Sequence, residues 1–205
     1  MTNPIFRASY SILSSWEAGY AQQAIEMYFK LPRETNKYME DGIRFHNSWE
    51  DYINKNKQMH PQLSSICEPL KDPVCELKLE MPINDHINLV GVIDCLDVPK
   101  ICEFKSGVKS ACAYAETKQI PVYALLAEYH VHTIDRGTYY HWDQYFKETD
   151  CSNIWITEKV KKEALEWVIK VSEEMYDYLI KNKLFEKYGD PNAVVVDVPI
   201  EETVL

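Results

Sequence analysis

The chain contains 205 residues, of which 46% are hydrophobic and 26% are charged, and this balance predicts one globular domain over residues 1–205 with a sizeable core. The formal net charge of −10 argues against a nucleic-acid-binding protein with a generally basic surface, although it leaves room for a local basic groove. No apolar run approaches the ~20 residues that span a bilayer, and the N-terminal residues do not resemble a secretory signal. We therefore expect a cytoplasmic protein that does not contact a membrane.

The six cysteines are scattered and form no C-x-x-C pair, which argues against a zinc ribbon and against a disulfide scaffold. A structural zinc site built from cysteines and histidines is therefore the weakest hypothesis that the sequence allows. We expect reduced thiols, with Cys95 and Cys102 acting as small hydrophobic residues in the core.

Two amphipathic helices precede the first predicted strand. The first covers residues 12–30, follows a possible hydroxyl cap in the Ser9-Tyr10-Ser11 sequence, and ends before Pro32. The second lies within residues 38–56 and carries one apolar stripe: Met39, Ile43, His46, Trp49 and Ile53. His46 therefore points inward, where a histidine is more often a satisfied core residue than a metal ligand.

A β-hairpin is predicted in the middle of the chain. Residues 54–72 are polar and contain prolines, so we expect a loop or short helical turns there. Alternating hydrophobicity then predicts a strand over residues 74–81. Residues 88–96 and 101–105 form an antiparallel hairpin around the turn that joins them.

The register of this hairpin follows from its short turn and pairs three sets of residues: Leu96 with Ile101, Cys95 with Cys102, and Asp94 with Glu103. The two acids then face each other with Cβ atoms ~4.5–5.5 Å apart, where like charges are destabilising unless a cation lies between them. Asp94 also shares its face with Val90, Val92 and Leu96, so its carboxylate would be costly to keep on this apolar stripe without a partner. Lys105 shares the face of Glu103 because strand side chains alternate. An E-x-K sequence alone most often forms a solvent-exposed, salt-bridged strand face. The acid on the opposite strand, Asp94, is therefore the feature that predicts a divalent-cation site.

After Gly107 the sequence predicts a helical stretch in which Gln119 and Tyr123, four residues apart, share one face. Pro121 either opens this helix at its first turn or kinks it. The remaining predicted elements are a strand over residues 138–146, a long helix capped by Thr157 and ending near Asn182, and a strand over residues 193–198. This order describes an α/β domain with a small mixed β-sheet flanked by helices.

Four short motifs occur in a fixed order along these elements: Gly42-x-x-x-His46, Gly91-Val92-Ile93-Asp94, Glu103-Phe104-Lys105 and Gln119-x-x-x-Tyr123. Their order and spacing resemble the RecB-like branch of the PD-(D/E)xK nuclease superfamily, which includes the exonucleases of CRISPR adaptation modules. The opening Ser9-Tyr10-Ser11 and the long late helix extend the resemblance over most of the chain. The resemblance implies a restriction-endonuclease-like core.

By this resemblance, His46, Asp94 and Glu103 would be side-chain ligands of the catalytic metal, and the Phe104 carbonyl would add an oxygen ligand. Lys105 would orient or activate the attacking water and stabilise charge on the phosphate. Oxygen ligands suit Mg²⁺ or Mn²⁺, and the imidazole favours Mn²⁺ somewhat more than an all-oxygen site would.

The resemblance also implies that Gln119 and Tyr123 position the nucleic-acid backbone. Many relatives hold an iron–sulfur cluster through one early cysteine and three late ones. This chain has Ala18 and Gly19 in the early region and only Cys151 late, so we expect no iron–sulfur cluster. It also lacks helicase motifs.

The sequence thus predicts a metal-dependent deoxyribonuclease that hydrolyses phosphodiester bonds, acting as an exonuclease on DNA ends or single strands. Such domains serve DNA repair, recombination, phage replication and CRISPR-related processing, and the sequence does not choose among these. The alternative is a catalytically silent nuclease-fold module that binds DNA or a protein partner. The acidic balance favours a protein partner that delivers the substrate.

Overall fold

The computed structural model describes residues 4–32, 37–55, 66–143 and 148–192. Within these ranges the strands are β1 Phe6–Ser9, β2 Val74–Pro82, β3 Ile87–Asp97, β4 Lys100–Ser106, β5 Arg136–Asp143 and β6 Glu148–Trp155. The helices are α1 Tyr10–Glu17, α2 Ala21–Tyr28, α3 Lys37–Lys55, α4 Ala111–Ala115, α5 Gln119–Tyr129, α6 Glu158–Lys181 and α7 Leu184–Tyr188.

All six strands belong to one mixed sheet, which confirms the predicted α/β architecture. β3 pairs along one edge with the antiparallel β2, and its other edge is shared by the parallel β1 and the antiparallel β4. β5 then pairs in parallel with β4, and β6 pairs in antiparallel fashion with β5. Because β1 meets the first part of β3 and β4 meets the last part, the sheet forks in the middle of β3.

The predicted hairpin between β3 and β4 is confirmed in its register. Cys95 lies opposite Cys102, and Leu96 lies opposite Ile101. A two-residue loop joins the strands after Asp97, as expected for a tight turn that fixes the pairing. The strand predicted over residues 74–81 is also confirmed, as β2.

Two hydrophobic clusters hold the sheet between helices. The larger contains buried residues of β1, β3, α1, α2, α5 and α6. The smaller contains Phe45 and Trp49 of α3 with Cys95, Cys102, Phe104 and Tyr140 from the sheet. The Trp49 ring stacks on Phe104 with centroids 3.8 Å apart. Cys95 and Cys102 are fully buried, which confirms the prediction that they behave as small core hydrophobes.

Helix α5 lies directly on the sheet because two positions beneath it lack a side chain. A Cβ atom on Gly91 would lie 2.7 Å from Leu126 Cδ1 and 2.9 Å from Tyr123 Cε1. A Cβ atom on Gly137 of β5 would overlap the Ile120 side chain. Glycine at these two positions therefore sets how closely the predicted Gln119–Tyr123 face approaches the sheet.

The two alternatives for Pro121 are resolved by the position of α5. The helix begins at Gln119, so Pro121 is its third residue and lies in the first turn. Backbone N–H groups of the first turn have no partner within a helix, so proline costs no hydrogen bond there. The later predicted helix is confirmed as α6, with the Thr157 hydroxyl accepting a hydrogen bond from the Val160 N–H at 3.3 Å.

Several predictions about the helices are wrong. The first predicted helix is two helices, because the chain turns at Gly19, whose φ of +84° interrupts the helical backbone. The apolar stripe of α3 is displaced: Ile43 is 56% exposed, while Phe45, which the stripe omitted, is buried beside Trp49. The Met39 side chain lies outside the part of the chain that the structure describes.

Two strands were not predicted, and some predictions cannot be compared. β1 and β6 are absent from the predicted order. The prediction that Asp94 lies on one apolar face of its strand is partly wrong, because Leu96 is buried in the larger core whereas Val92 is 36% exposed. The predicted strand over residues 193–198, and parts of the predicted loop over 54–72 and of the strand over 138–146, lie outside the described residues. None of the described helices combines the length and apolarity needed to cross a membrane.

We expect Gly91→Ala to lower the free energy of unfolding by about 1–3 kcal/mol, because the added methyl group would overpack the contact with α5. Urea unfolding of the two proteins measures this difference. Gly42→Ala is the matched control, since its Cβ would meet only Ser106 Oγ at 3.6 Å and alanine favours a helix by about 1 kcal/mol. Equal midpoints for wild type and Gly91→Ala would contradict the close approach of α5.

Candidate active site

Three acidic residues lie in one row across β2, β3 and β4. The β2–β3 pairs on either side of Glu76 place it opposite Asp94. The β3–β4 register, continued by one residue, places Asp94 opposite Glu103. The backbone at Glu76 has a φ of +51°, an uncommon conformation for a residue with a side chain. We call Glu76, Asp94 and Glu103 the acid row.

The Asp94 side chain takes over part of the hydrogen bonding between β3 and β4. The Phe104 N–H donates to Asp94 Oδ2 at 2.9 Å, and the Asp94 N–H donates to Glu103 Oε1 at 3.4 Å. The ladder of paired backbone residues stops at the next pair, Cys95 with Cys102. Carboxylates therefore replace backbone carbonyls as acceptors at the fork of the sheet, which fixes the position of both acids.

One end of the acid row forms a group that suits a metal ion. His46 Nδ1, on α3, lies 3.5 Å from Asp94 Oδ1. One ligand atom each from His46, Glu76 and Asp94 all lie within 4.8 Å of one another. An open pocket of about 550 Å³ borders His46 and Glu76 and gives access to the group. One imidazole nitrogen with two carboxylates is a donor set that fits Mn²⁺ or Mg²⁺.

Glu103 occupies the other end of the acid row and is fully buried. Its Oε2 accepts hydrogen bonds from Lys105 Nζ at 2.9 Å and from Gln119 Nε2 at 2.7 Å. Gln119 Nε2 also lies 3.3 Å from the Tyr123 hydroxyl. The structure therefore brings Glu103, Lys105, Gln119 and Tyr123 together, and the Gln119 amide is directed at Glu103. Glu103 lies outside the group formed by His46, Glu76 and Asp94.

The pKa values of these groups reflect crowded charge, at a fully buried position for Glu103 and at an exposed one for Glu76. Burial and, next, the nearby Asp94 raise the pKa of Glu103, Lys105 opposes both, and the net result is a pKa of about 8. Burial raises the pKa of Glu76 as well, with Asp94 again adding to the shift. For Lys105, burial acts to lower the pKa, but Glu103 and Asp94 hold it above its ordinary value. The acids thus outnumber the cations that balance them.

The turn that follows Lys105 is anchored from β5 and β6. The His141 ring is buried, with Nδ1 2.6 Å from Asp150 Oδ1 and Nε2 2.7 Å from the Gly107 carbonyl oxygen. Asp150 Oδ2 also accepts a hydrogen bond from the Ala111 N–H at 2.9 Å, where α4 begins. This network limits the movement of the backbone that carries Lys105.

Glu76 was absent from the predicted site, although the sequence contains a signal for it. The chain turns between β2 and β3 at Asn84, whose side-chain oxygen accepts hydrogen bonds from the N–H groups of His86 and Ile87. Asn and Asp favour such turns. A hairpin centred on Asp85 places Glu76 opposite Asp94, so a turn assignment at this point would have found the third acid.

No protein-family model and no curated protein matches the sequence. The fold, in contrast, is similar to solved exonuclease structures. The alkaline exonuclease LHK-Exo from Laribacter hongkongensis, in a complex with dAMP, is 12% identical over 88% of this chain and 95% of that chain, with a TM-score of 0.50. A putative exonuclease from Eubacterium rectale is 9% identical over 90% of this chain and 82% of that chain, with a TM-score of 0.52. At these identities the likeness shows the fold alone: the chain shares the fold of solved exonucleases, as the sequence resemblance implied.

The raised pKa of Glu103 predicts how stability changes with pH in the absence of metal. The folded protein keeps this proton up to a pKa of about 8, whereas an unfolded glutamate releases it at about 4.3. The unfolded state therefore binds fewer protons between these values, and the free energy of unfolding falls as pH rises through this window.

Urea unfolding in EDTA across this pH range measures the slope. Glu103→Gln removes the titrating carboxyl group, so we expect a smaller slope of the free energy of unfolding against pH. Glu174→Gln, on the exposed face of α6, is the control and should keep the wild-type slope. The same slope in wild type and Glu103→Gln would show that Glu103 is not the buried acid that gains the proton.

Proposed function

We propose that this protein is a metal-dependent deoxyribonuclease that hydrolyses phosphodiester bonds, acting as an exonuclease on DNA ends or single strands. The observation that carries the proposal is the acid row beside His46, with Lys105 held against Glu103. The nuclease fold supports the reaction class. Fold alone does not imply function, whereas these side chains supply the charges that phosphodiester hydrolysis requires.

The residues that would hold Mg²⁺ or Mn²⁺ are His46, Glu76 and Asp94, whose ligand atoms already lie close together. Glu103 and the Phe104 carbonyl remain the further ligands that the family resemblance implies. A bound divalent ion would lower the pKa of a coordinated water and neutralise charge on the phosphate. Glu76 is an addition to the ligand set expected from sequence.

Lys105 would act as a fixed cation. Its side chain is 16% exposed, and its ammonium group lies 2.9 Å from Glu103 Oε2. Because the neighbouring carboxylates hold its pKa above the ordinary value, it stays protonated and is a poor general base. Its role is then to orient the water and the phosphate and to stabilise negative charge that develops on the phosphate oxygens.

A basic groove beside Tyr123 supports a polyanionic substrate. The groove measures about 470 Å³, runs past Tyr123, and is bordered by Arg7, Lys30 and Lys78. Arg7 is ion-paired with Glu80, so the positive charge of the groove comes mainly from the two lysines, and it is local because the chain as a whole carries −10. Gln119 and Tyr123 would position the DNA backbone between this groove and the acid row.

The cleavage test uses end-labelled linear single- and double-stranded DNA and a closed circle, each with Mn²⁺, Mg²⁺ or EDTA. We expect metal-dependent loss of the linear substrates and survival of the circle. Asp94→Asn and Lys105→Met should each reduce the rate by about 10²-fold or more, because each removes charge that acts on the transition state. Glu174→Gln should cleave at the wild-type rate.

The net charge of −10 favours one other function, a module that binds DNA or a protein without cutting. Tight DNA binding in a filter assay, without cleavage in either metal, would contradict the nuclease proposal and support this second function. Cleavage of the closed circle at the rate of the linear substrates would contradict exonuclease action alone.

Glu76→Gln tests the added ligand. We expect it to weaken Mn²⁺ binding by about 10-fold or more, because a neutral amide is a poorer ligand than a carboxylate for a hard cation. Isothermal titration calorimetry with Mn²⁺ measures the affinity in the absence of DNA. Glu174→Gln serves again as the control, and equal affinities for wild type and Glu76→Gln would remove Glu76 from the ligand set.

A further inference from the structure

A row of three cysteines runs beside the acid row. Cys75 on β2 lies opposite Cys95 on β3, and Cys95 lies opposite Cys102 on β4. Cys75 directly precedes Glu76, and Cys95 directly follows Asp94. The thiols and the carboxylates therefore occupy neighbouring rows on the same three strands.

The three cysteines are cross-strand neighbours but differ in access. Cys95 is the paired residue of Cys75 on one side and of Cys102 on the other. Cys95 and Cys102 are fully buried, whereas Cys75 is partly exposed. A reagent in solution therefore reaches Cys75 first, with Cys95 directly behind it.

We infer that Cys75 and Cys95 form a reversible disulfide when a low-molecular-weight disulfide such as oxidised glutathione reacts with the protein. Opposed residues on antiparallel strands have Cβ atoms ~4.5–5.5 Å apart, and a disulfide needs ~3.5–4.5 Å. The bond thus requires a movement on the order of 1 Å. β2 can make this movement because, in the part of the sheet that the structure describes, it pairs only with β3.

Cys102 is the less suitable partner for Cys95. It is fully buried, so the reagent does not reach its sulfur. Its strand, β4, is held between β3 and β5 by pairing on both edges. A movement of β4 toward β3 would disturb both ladders, whereas a movement of β2 disturbs one.

The chemistry is two steps of thiol–disulfide exchange. The Cys75 thiolate attacks oxidised glutathione, whose S–S bond breaks, so that a mixed disulfide forms and one glutathione leaves as a thiol. Cys95 then loses its proton and attacks the Cys75 sulfur, which forms the Cys75–Cys95 bond and releases the second glutathione. The protein loses two electrons and two protons, and the reagent gains them.

The bond would act on the acid row because Glu76 and Asp94 are the next residues on the two strands. Drawing β2 toward β3 at the cysteine row changes the separation of these two carboxylates. Changes next to metal ligands typically alter affinity by about 10- to 100-fold. We therefore expect the oxidised protein to bind Mn²⁺ about 10-fold more weakly, with recovery after reduction.

The test treats the full chain with oxidised glutathione and maps disulfides by mass spectrometry of peptides under non-reducing conditions. A Cys75–Cys95 link is expected in wild type and in Cys102→Ser, and its loss is expected in Cys75→Ser. Cys112→Ser is the matched control, because Cys112 is exposed and lies on helix α4 rather than on the three strands of the row. It should keep the link.

Calorimetry with Mn²⁺ is repeated on reduced, oxidised and re-reduced protein. A Cys95–Cys102 link, or glutathione found only on Cys112 and Cys151, would overturn the proposal. A Cys75–Cys95 link with unchanged Mn²⁺ affinity would overturn its effect on the acid row. The peptide map needs no nuclease activity: a link in a protein that neither binds Mn²⁺ nor cleaves DNA would refute the proposed function and leave the disulfide standing.

Discussion

Repulsion among the three carboxylates of the acid row is the constraint around which the centre of the sheet is built. Like charges on opposed strand positions are destabilising, and burial at Glu103 increases the cost. The protein offsets part of it with the Lys105 ammonium, the Gln119 amide and the Phe104 N–H. The offset is incomplete, since the pKa of Glu103 remains near 8. A site that is short of positive charge is one that favours the binding of a cation.

The larger core takes part in this arrangement through α5. Helix α5 reaches the sheet because Gly91 and Gly137 leave space beneath it. This approach brings Gln119 within 2.7 Å of Glu103. Packing and electrostatics are therefore coupled here: the same contact buries apolar residues of α5 and supplies a donor to the most deeply buried acid. On the opposite side, Trp49 stacks on Phe104 and joins α3, which carries His46, to the strand of the E-x-K motif.

The elements predicted correctly are those that short-range chemistry determines. A tight turn after Asp97 fixes the register that pairs Cys95 with Cys102, and the Thr157 cap marks the start of α6. The missed elements depend on contacts that are distant in sequence. β1 becomes a strand by pairing with residues about eighty positions later, and Glu76 joins the acid row only once the β2–β3 register is known. Residue pattern alone could not supply the pairing of β1, because a strand's partner is a property of the fold. The β2–β3 register was within reach of the sequence, through the turn signal at Asn84.

Net charge is a poor guide to what this site attracts. At an ionic strength of 0.1 M, exposed charges more than about 10 Å apart are largely screened. Acidic residues elsewhere on the chain therefore act weakly on a phosphate near Tyr123. Arg7, Lys30 and Lys78 border the same groove as Tyr123. Arg7 is paired with Glu80, so the two lysines are the charges that act at shorter range. Lys105 is only partly exposed beside the acid row, where screening by salt is weaker still. An acidic chain with a local basic groove is thus compatible with a polyanionic substrate.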